Sequence, residues 1–438
     1  MNPNKLSELS RRDFLARTAR SCFGLSIAGS ASQLFSPQAL AANPAVLKAG
    51  GGKAKHVIYL YMSGGMTHID TFDPKPDAPA DVRGATNSIK TNVDGIQLGH
   101  CLPLLSRHMD KVALIRSLST TQGAHAQGKY LMHTGYTQRG TITHPSSGAW
   151  VSKLAGGTGG DLPSFVLVGG GNKHPGGGFF EPQFSPLPIG DPATGLRNVR
   201  KRKGTSDESL ERQLTLRQEL DHDFDSRFHK GQRSVRAYNE VYDSAIKLMH
   251  SKDLEAFDLS RESKESRAAY GTERFGQGVL LARRLVERGV RFVEVEYGGF
   301  DWHEDNFNQM EEKIPVLDQA LSALFSDLSA KGLLDETLVV VATEFGRSPK
   351  IVSNEGRNHF PKAFSGLMAG GGIKGGQAYG KTDETGSNVI ENKVDAGDFN
   401  ASIAFALGLP YDLPLMSPSK RPFKMGGKNG KPISALFA

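Results

Sequence analysis

The chain lacks the features that mark several large protein classes. It has only 2 cysteines in 438 residues. Cys22 lies near the N-terminus and Cys101 stands alone in the body. The body therefore forms no internal disulfide, and its stability must come from a packed core. Beyond the N-terminus no run approaches the roughly 20 apolar residues that a membrane helix needs. No G-x-S-x-G elbow occurs, which disfavours a serine hydrolase of that type. Gly370-Gly-Gly-Ile-Lys-Gly-Gly lacks the spacing and the Ser/Thr of a P-loop, and reads as a loop after an apolar strand, Phe364–Ala369. No nucleic-acid motif is present. A large excess of one charge is also missing: the net charge is +7.

What is there fits an ordinary globular domain, with 38% hydrophobic and 23% charged residues. The N-terminus reads separately. Ser10-Arg11-Arg12-Asp13-Phe14-Leu15, the apolar Cys22–Ala31, and an A-x-A pattern ending at Ala41 resemble a twin-arginine signal peptide over residues 1–41. That implies passage through the twin-arginine export machinery to the periplasm or exterior, already folded. Removing the leader's +3 from +7 leaves +4, a weak bias. Its main cluster is Arg197–Lys203, read as a solvated loop or a patch for anionic partners.

Residues 42–438 read as one domain. His56–Met62, Lys111–Ile115, Phe165–Val168, Phe292–Val295 and Leu338–Val341 are apolar, β-branched runs of strand length. Gln127–His133 reads as a helix stopped by Gly135, and Phe275–Arg288 as one closed by Gly289. Leu317, Leu321, Leu324 and Leu328 line one face of a helix ending near Gly332. A further helix is expected at Asp398–Leu407. Strand, helix and strand from Phe292 to Val341 make a βαβ unit, hence a parallel pair. The charged stretch from about 205 to 275 reads as a helical insertion over the main sheet.

The chemistry gathers where strands end, as α/β folds require. The run Phe292–Val295 delivers Glu296, Asp301 and His303. Leu338–Val341 delivers Glu344 and Arg347, and His359 follows in a Gly/Asn-rich loop. The first strand leads to His68 and Asp70, and the second ends at Arg116. Carboxylates and imidazoles together point to a metal or acid/base site. Each has a structural alternative. Asp301 and His303 can cap a turn, His68 and Asp70 can close one, and Glu344 can pair with Arg347 or Arg357. Arg116 and Arg347 can grip an anionic oxygen pair or serve structural pairing.

Ser-Arg-Arg-Asp-Phe-Leu, His68-Ile-Asp70-Thr-Phe-Asp73-Pro, Gly299-Phe-Asp301-Trp-His303, Glu344-Phe-Gly-Arg347 and Arg357-Asn-His359-Phe resemble the exported bacterial proteins of domain-of-unknown-function family 1501. That resemblance places the chain with the alkaline phosphatase and sulfatase superfamily. It implies an α/β fold with a doubly wound, mostly parallel sheet. It also implies metal ligands. Val295-Glu296 and Asp301 keep the spacing of the superfamily's V-E-G-x-x-x-D, and His359 matches its late metal histidine. Departures are equally specific. Asp305 stands at the next ligand position, Phe345 replaces a histidine, Ser63-Gly64 replaces the first-strand Asp, and His125 falls where the nucleophile would be.

The expected function is therefore an exported metal-dependent hydrolase of phosphate or sulfate esters. Its ligands come from His68, Asp70, Glu296, Asp301, His303, Glu344 and His359, and His125, Arg116 and Arg347 are the catalytic candidates. Zn, Mn or Fe suits a mixed imidazole–carboxylate set, and Ca or Mg a carboxylate set. The expected partner is an anionic small molecule or glycan. The alternatives are a non-catalytic binding or assembly protein and, third, an isomerase or phosphoglycan transferase on the same fold.

Overall fold

The computed structural model describes residues 51–157, 160–196, 206–228 and 243–437. The expected leader, Arg197–Lys203 and part of the helical insertion lie outside them. One large sheet organises the rest. Its strands are β1 (His56–Ser63), β2 (Val112–Leu118), β3 (Phe165–Val168), β4 (Leu187–Ile189), β5 (Phe292–Gly298), β6 (Thr337–Ala342), β7 (Phe364–Ala369) and β8 (Gln377–Tyr379). Their order is β8-β2-β7-β6-β1-β5-β3-β4. β7 runs antiparallel to both neighbours, and every other pair is parallel.

Helices cover both faces, as a mostly parallel sheet demands. The longer helices are α1 (His125–Thr134), α2 (Ser147–Ala155), α3 (Asp207–Phe228), α4 (Arg274–Glu287), α5 (Asn306–Ala330) and α6 (Ala396–Ala406), of which α1, α2 and α6 lie on one face and α4 and α5 on the other. The period of two in β1 divides the core. Ile58, Leu60 and Met62 join the cluster under α4 and α5, whereas Val57, Tyr59 and Tyr61 join the one under α1, α2 and α6. β5 divides likewise: Val293 and Val295 face α4 and α5. Glu294 and Glu296, one residue out of phase, take the other face. The sheet is the doubly wound, mostly parallel one expected from the sequence.

Local chemistry sets the boundaries. Gly135 caps α1 in the left-handed conformation, at φ 71°. Asp395 and Asp398 form a reciprocal capping box at the start of α6. The expected second strand is displaced. β2 runs from Val112 to Leu118, so Arg116 lies within the strand rather than beyond it. Among the described residues no helix is long and apolar enough to cross a membrane.

Candidate metal centre

The central strands β1, β5 and β6 are parallel, so their carboxyl ends open on the same edge. Three loops leave there. Ser63-Gly64-Gly65 leaves β1, Phe300-Asp301 follows β5, and Thr343–Arg347 follows β6. The Thr343 hydroxyl donates to Met62 O at 2.7 Å and accepts from Met66 N at 3.0 Å, which ties the first loop to the third. Gly64 lies at φ 118°. A Cβ there would stand 2.6 Å from Phe300 N and 2.7 Å from Asp301 N. A glycine is thus required for the first loop to lie against the second. The short ribbon Gly346–Arg347 with His359–Phe360 pairs His359 opposite Arg347, which brings the late histidine to the same edge.

Asp301 is the centre of what results. Its Oδ1 lies 2.5 Å from Arg347 Nη2, 3.0 Å from His303 Nε2 and 3.1 Å from His359 Nε2. Its Oδ2 lies 3.1 Å from His125 Nε2. That last contact lacks hydrogen-bond geometry, and His125 Nε2 is a buried ring nitrogen with no hydrogen-bond partner. His303 Nε2 and His359 Nε2 stand 3.0 Å apart. The ligand atoms of His125, Asp301 and His359 all lie within 4.8 Å of one another.

What faces the other ring nitrogens decides the chemistry. His125 Nδ1 donates to Glu344 Oε1 at 2.8 Å, His359 Nδ1 to Gly123 O at 2.8 Å, and His303 Nδ1 to Asn358 Oδ1 at 3.3 Å. Each Nδ1 meets an acceptor and so carries the hydrogen. A neutral ring then presents a bare Nε2. Crowded on one carboxylate, these Nε2 atoms either carry protons, as the His359–Asp301 hydrogen bond does, or are joined by a cation. Histidines turned outward by an oxygen acceptor on Nδ1 are what a metal site requires. The residues present therefore fit a divalent ion.

The shifts agree. The Glu344 hydrogen bond and charge raise the His125 pKa above its usual value, so a proton competes for Nε2. Burial lowers His359, which keeps that ring neutral. Burial also pushes the Asp301 carboxyl up, but the Arg347 hydrogen bond and charge, with His359 and His125, outweigh it. Asp301 ends well below the ordinary carboxylate range. The cluster is open to solvent, with Asp301 and His303 side chains 46% and 47% exposed.

Glu344 stands behind the cluster, 1% exposed. It accepts from Gly64 N at 2.8 Å and Tyr61 Oη at 3.1 Å as well as from His125. It pairs with neither Arg347 nor Arg357. Arg347 is fully buried, and three of its partners are the carbonyls of Gly64, Gly65 and Arg357.

The remaining expected residues are not brought to the cluster. His68 donates from Nε2 to Gly386 O at 2.9 Å. Asp70 is bound through both oxygens to Arg357, at 2.8 and 3.0 Å, and also accepts from Thr67, Thr86 and Asn306. That buried pair anchors the loop carrying His359. Arg116 donates to Phe72 O and Gln97 O at 2.8 Å each. Glu296 is taken by Lys129 Nζ at 2.8 Å. Asp305 is the N-cap of α5 in a left-handed conformation.

A second group escaped the sequence reading. His133, His174 and Glu294 lie on the α1 side of β5, with their ligand atoms also within 4.8 Å. The signal was present in two spacings. His125, Lys129 and His133 recur every four residues on α1, and Glu294 and Glu296 every two on β5.

The model of the family described as protein of unknown function (DUF1501) matches residues 54–437, and the chain belongs to that family. None of the curated proteins matches it. Among solved structures it is similar to the PsFucS1 sulfatase from Pseudoalteromonas sp., at 13% identity over 90% of this chain and 76% of that one, with a TM-score of 0.41. It is also similar to the lipoteichoic acid synthase LtaP from Listeria monocytogenes, at 10% identity over 91% and 79%, TM-score 0.37. A third is a protein in the alkaline phosphatase superfamily from Vibrio parahaemolyticus, at 12% identity over 82% and 68%, TM-score 0.33. At these identities and scores the likenesses assign no role to any residue.

Proposed function

We propose that this member of the DUF1501 family is an exported, metal-dependent hydrolase of phosphate or sulfate esters. One observation carries the reading: three imidazoles whose Nδ1 atoms all face acceptors turn their Nε2 atoms onto Asp301. His125, Asp301 and His359 hold the ion, which leaves an open side, as catalytic sites with three protein ligands do. The donor set suits Zn²⁺, Mn²⁺ or Fe²⁺ better than Ca²⁺ or Mg²⁺. The ion would supply Lewis-acid polarisation of an ester oxygen.

The other residues have separate tasks. Glu344 fixes the ring and tautomer of His125. Arg347 neutralises one oxygen of Asp301 and holds the Gly64 loop against it. His303, the most exposed imidazole of the three, stands beside the ion without holding it and serves as acid or base. Ala124 gives the start of α1 no side-chain cap, so its first N–H groups favour an anionic ester. Export rests on the twin-arginine pattern at Ser10–Leu15.

Arg347 favours a second reading. A permanent cation 2.5 Å from Asp301, with added protons, is charge enough for a non-catalytic binding protein. Metal analysis of the full chain, expressed with its leader, separates the two. The hydrolase reading expects a stoichiometric transition ion, a melting temperature lowered by chelator, and turnover of an aryl phosphate, phosphodiester or aryl sulfate. Neither metal nor a chelator effect would sink it in favour of the binding reading.

A further inference from the structure

The inner group has the composition and spacing of a metal site, and its hydrogen bonds contradict one. His174 Nδ1 accepts from Gly176 N at 2.9 Å. A backbone N–H is always a donor, so this nitrogen is bare and the hydrogen sits on Nε2. That Nε2–H donates to Glu294 Oε2 at 3.1 Å. No lone pair of His174 is left for an ion. His133 Nδ1 faces Lys129 O at 2.7 Å and must donate, while its Nε2 faces Glu294 Oε1 at 2.8 Å. Both Glu294 oxygens thus have ring nitrogens against them.

Glu296, the neighbouring carboxylate on the same strand face, is filled in the same manner. Lys129 Nζ holds Oε1 at 2.8 Å and Gly171 N holds Oε2 at 3.1 Å. The glycine-rich loop lies directly on it: a Cβ at Gly170 would stand 1.7 Å from Oε2, and its φ is +20°. Such a gap admits no hydrated ion. Lys129 and His133 are both 6% exposed or less, and Glu294 is 1%. Both carboxylates on this face are closed from α1, Glu296 by Lys129 and Glu294 by His133, one turn apart.

We propose that Lys129 and His133 are built-in partners of the β5 carboxylates, that His133, Glu294 and His174 form a hydrogen-bonded latch rather than a metal site, and that the described residues take a single divalent ion. The count of one rests on the proposed function, through the His125–Asp301–His359 cluster. The latch stands on its own hydrogen bonds.

The test uses the whole protein labelled with ¹⁵N-histidine, titrated with Zn²⁺ beyond saturation, with bound metal counted in parallel. The expected result is one Zn²⁺ per chain, lost in His359→Ala. His174 keeps a bare Nδ1 and a protonated Nε2 throughout, and neither His133 nor His174 loses a proton. No bound Zn²⁺ with the His174 tautomer unchanged defeats the strand-end cluster while supporting the latch. Loss of the His174 Nε2 hydrogen on Zn²⁺ addition overturns the latch. So does a second ion that persists in His359→Ala.

Discussion

Two histidine–carboxylate groups lie at opposite ends of His125–Thr134, and the same residue types do opposite things in them. At the strand ends the Nδ1 atoms of His125, His303 and His359 face acceptors, so the Nε2 atoms converge on Asp301. Inside, Nδ1 of His174 faces a donor, so its Nε2 is protonated and closes on Glu294. Residue type and spacing did not decide between metal and proton. For His174 the partner of the far ring nitrogen did, and His133, whose Nδ1 faces Lys129 O, is turned onto the same carboxylate. Exposure follows the same division, for Asp301 is half open to solvent and Glu294 is sealed.

Paired substitutions test this division. Glu294→Ala should have the largest effect on stability, about 3–5 kcal/mol in a denaturant titration, because it strands two buried ring nitrogens that share this carboxylate. Asp301→Ala, at the open cluster, should cost clearly less when both proteins are compared free of metal, because Arg347 keeps three carbonyl partners. A similar loss at both sites would erase the distinction between latch and ligand group. Asp301→Ala should instead abolish metal binding, a loss above roughly 100-fold by calorimetry, since it removes a ligand rather than an outer partner. Glu344→Gln should weaken binding by about 10–100-fold, the usual consequence of losing a group that orients a metal histidine.

Two pH effects are smaller and have opposite signs. His125 has a raised pKa, so metal must displace a proton, and affinity should rise as pH increases through that raised value. In chelated protein the same shift stabilises the fold below the ordinary histidine value of 6.5 and loses that contribution as pH rises. For Glu294, burial pushes the carboxyl up, but His133 and His174 outweigh it and the pKa ends lowered. Its contribution is complete above the ordinary glutamate range and is lost as pH falls through the lowered value. Glu294→Gln should therefore flatten the acid limb of a stability–pH curve and leave the neutral limb's shape intact.

The sheet was legible because its signals are local. His56–Met62 and Leu338–Val341 are apolar on both faces, and Gly135 and Gly332 punctuate the helices they follow. The direction of Phe364–Ala369 was not legible, since an antiparallel strand buried on both faces reads like a parallel one. At the site, Asp301, His303, Glu344, Arg347 and His359 were legible as strand-end residues, and the structure gathers them within one cluster with His125. His68 and Asp70 carry the same chemistry in sequence, yet Gly386 and Arg357 occupy them from more than 280 residues away. Glu296 was named and Glu294 was not. Their meaning depends on Lys129 and His133, which only helix packing against the sheet brings into reach.

The most direct measurement of the central claim is the metal content of the intact protein alongside that of His359→Ala and His174→Ala. One transition ion per chain is expected in the unaltered protein, none in His359→Ala, and one in His174→Ala. An ion that survives His359→Ala and disappears in His174→Ala would contradict it.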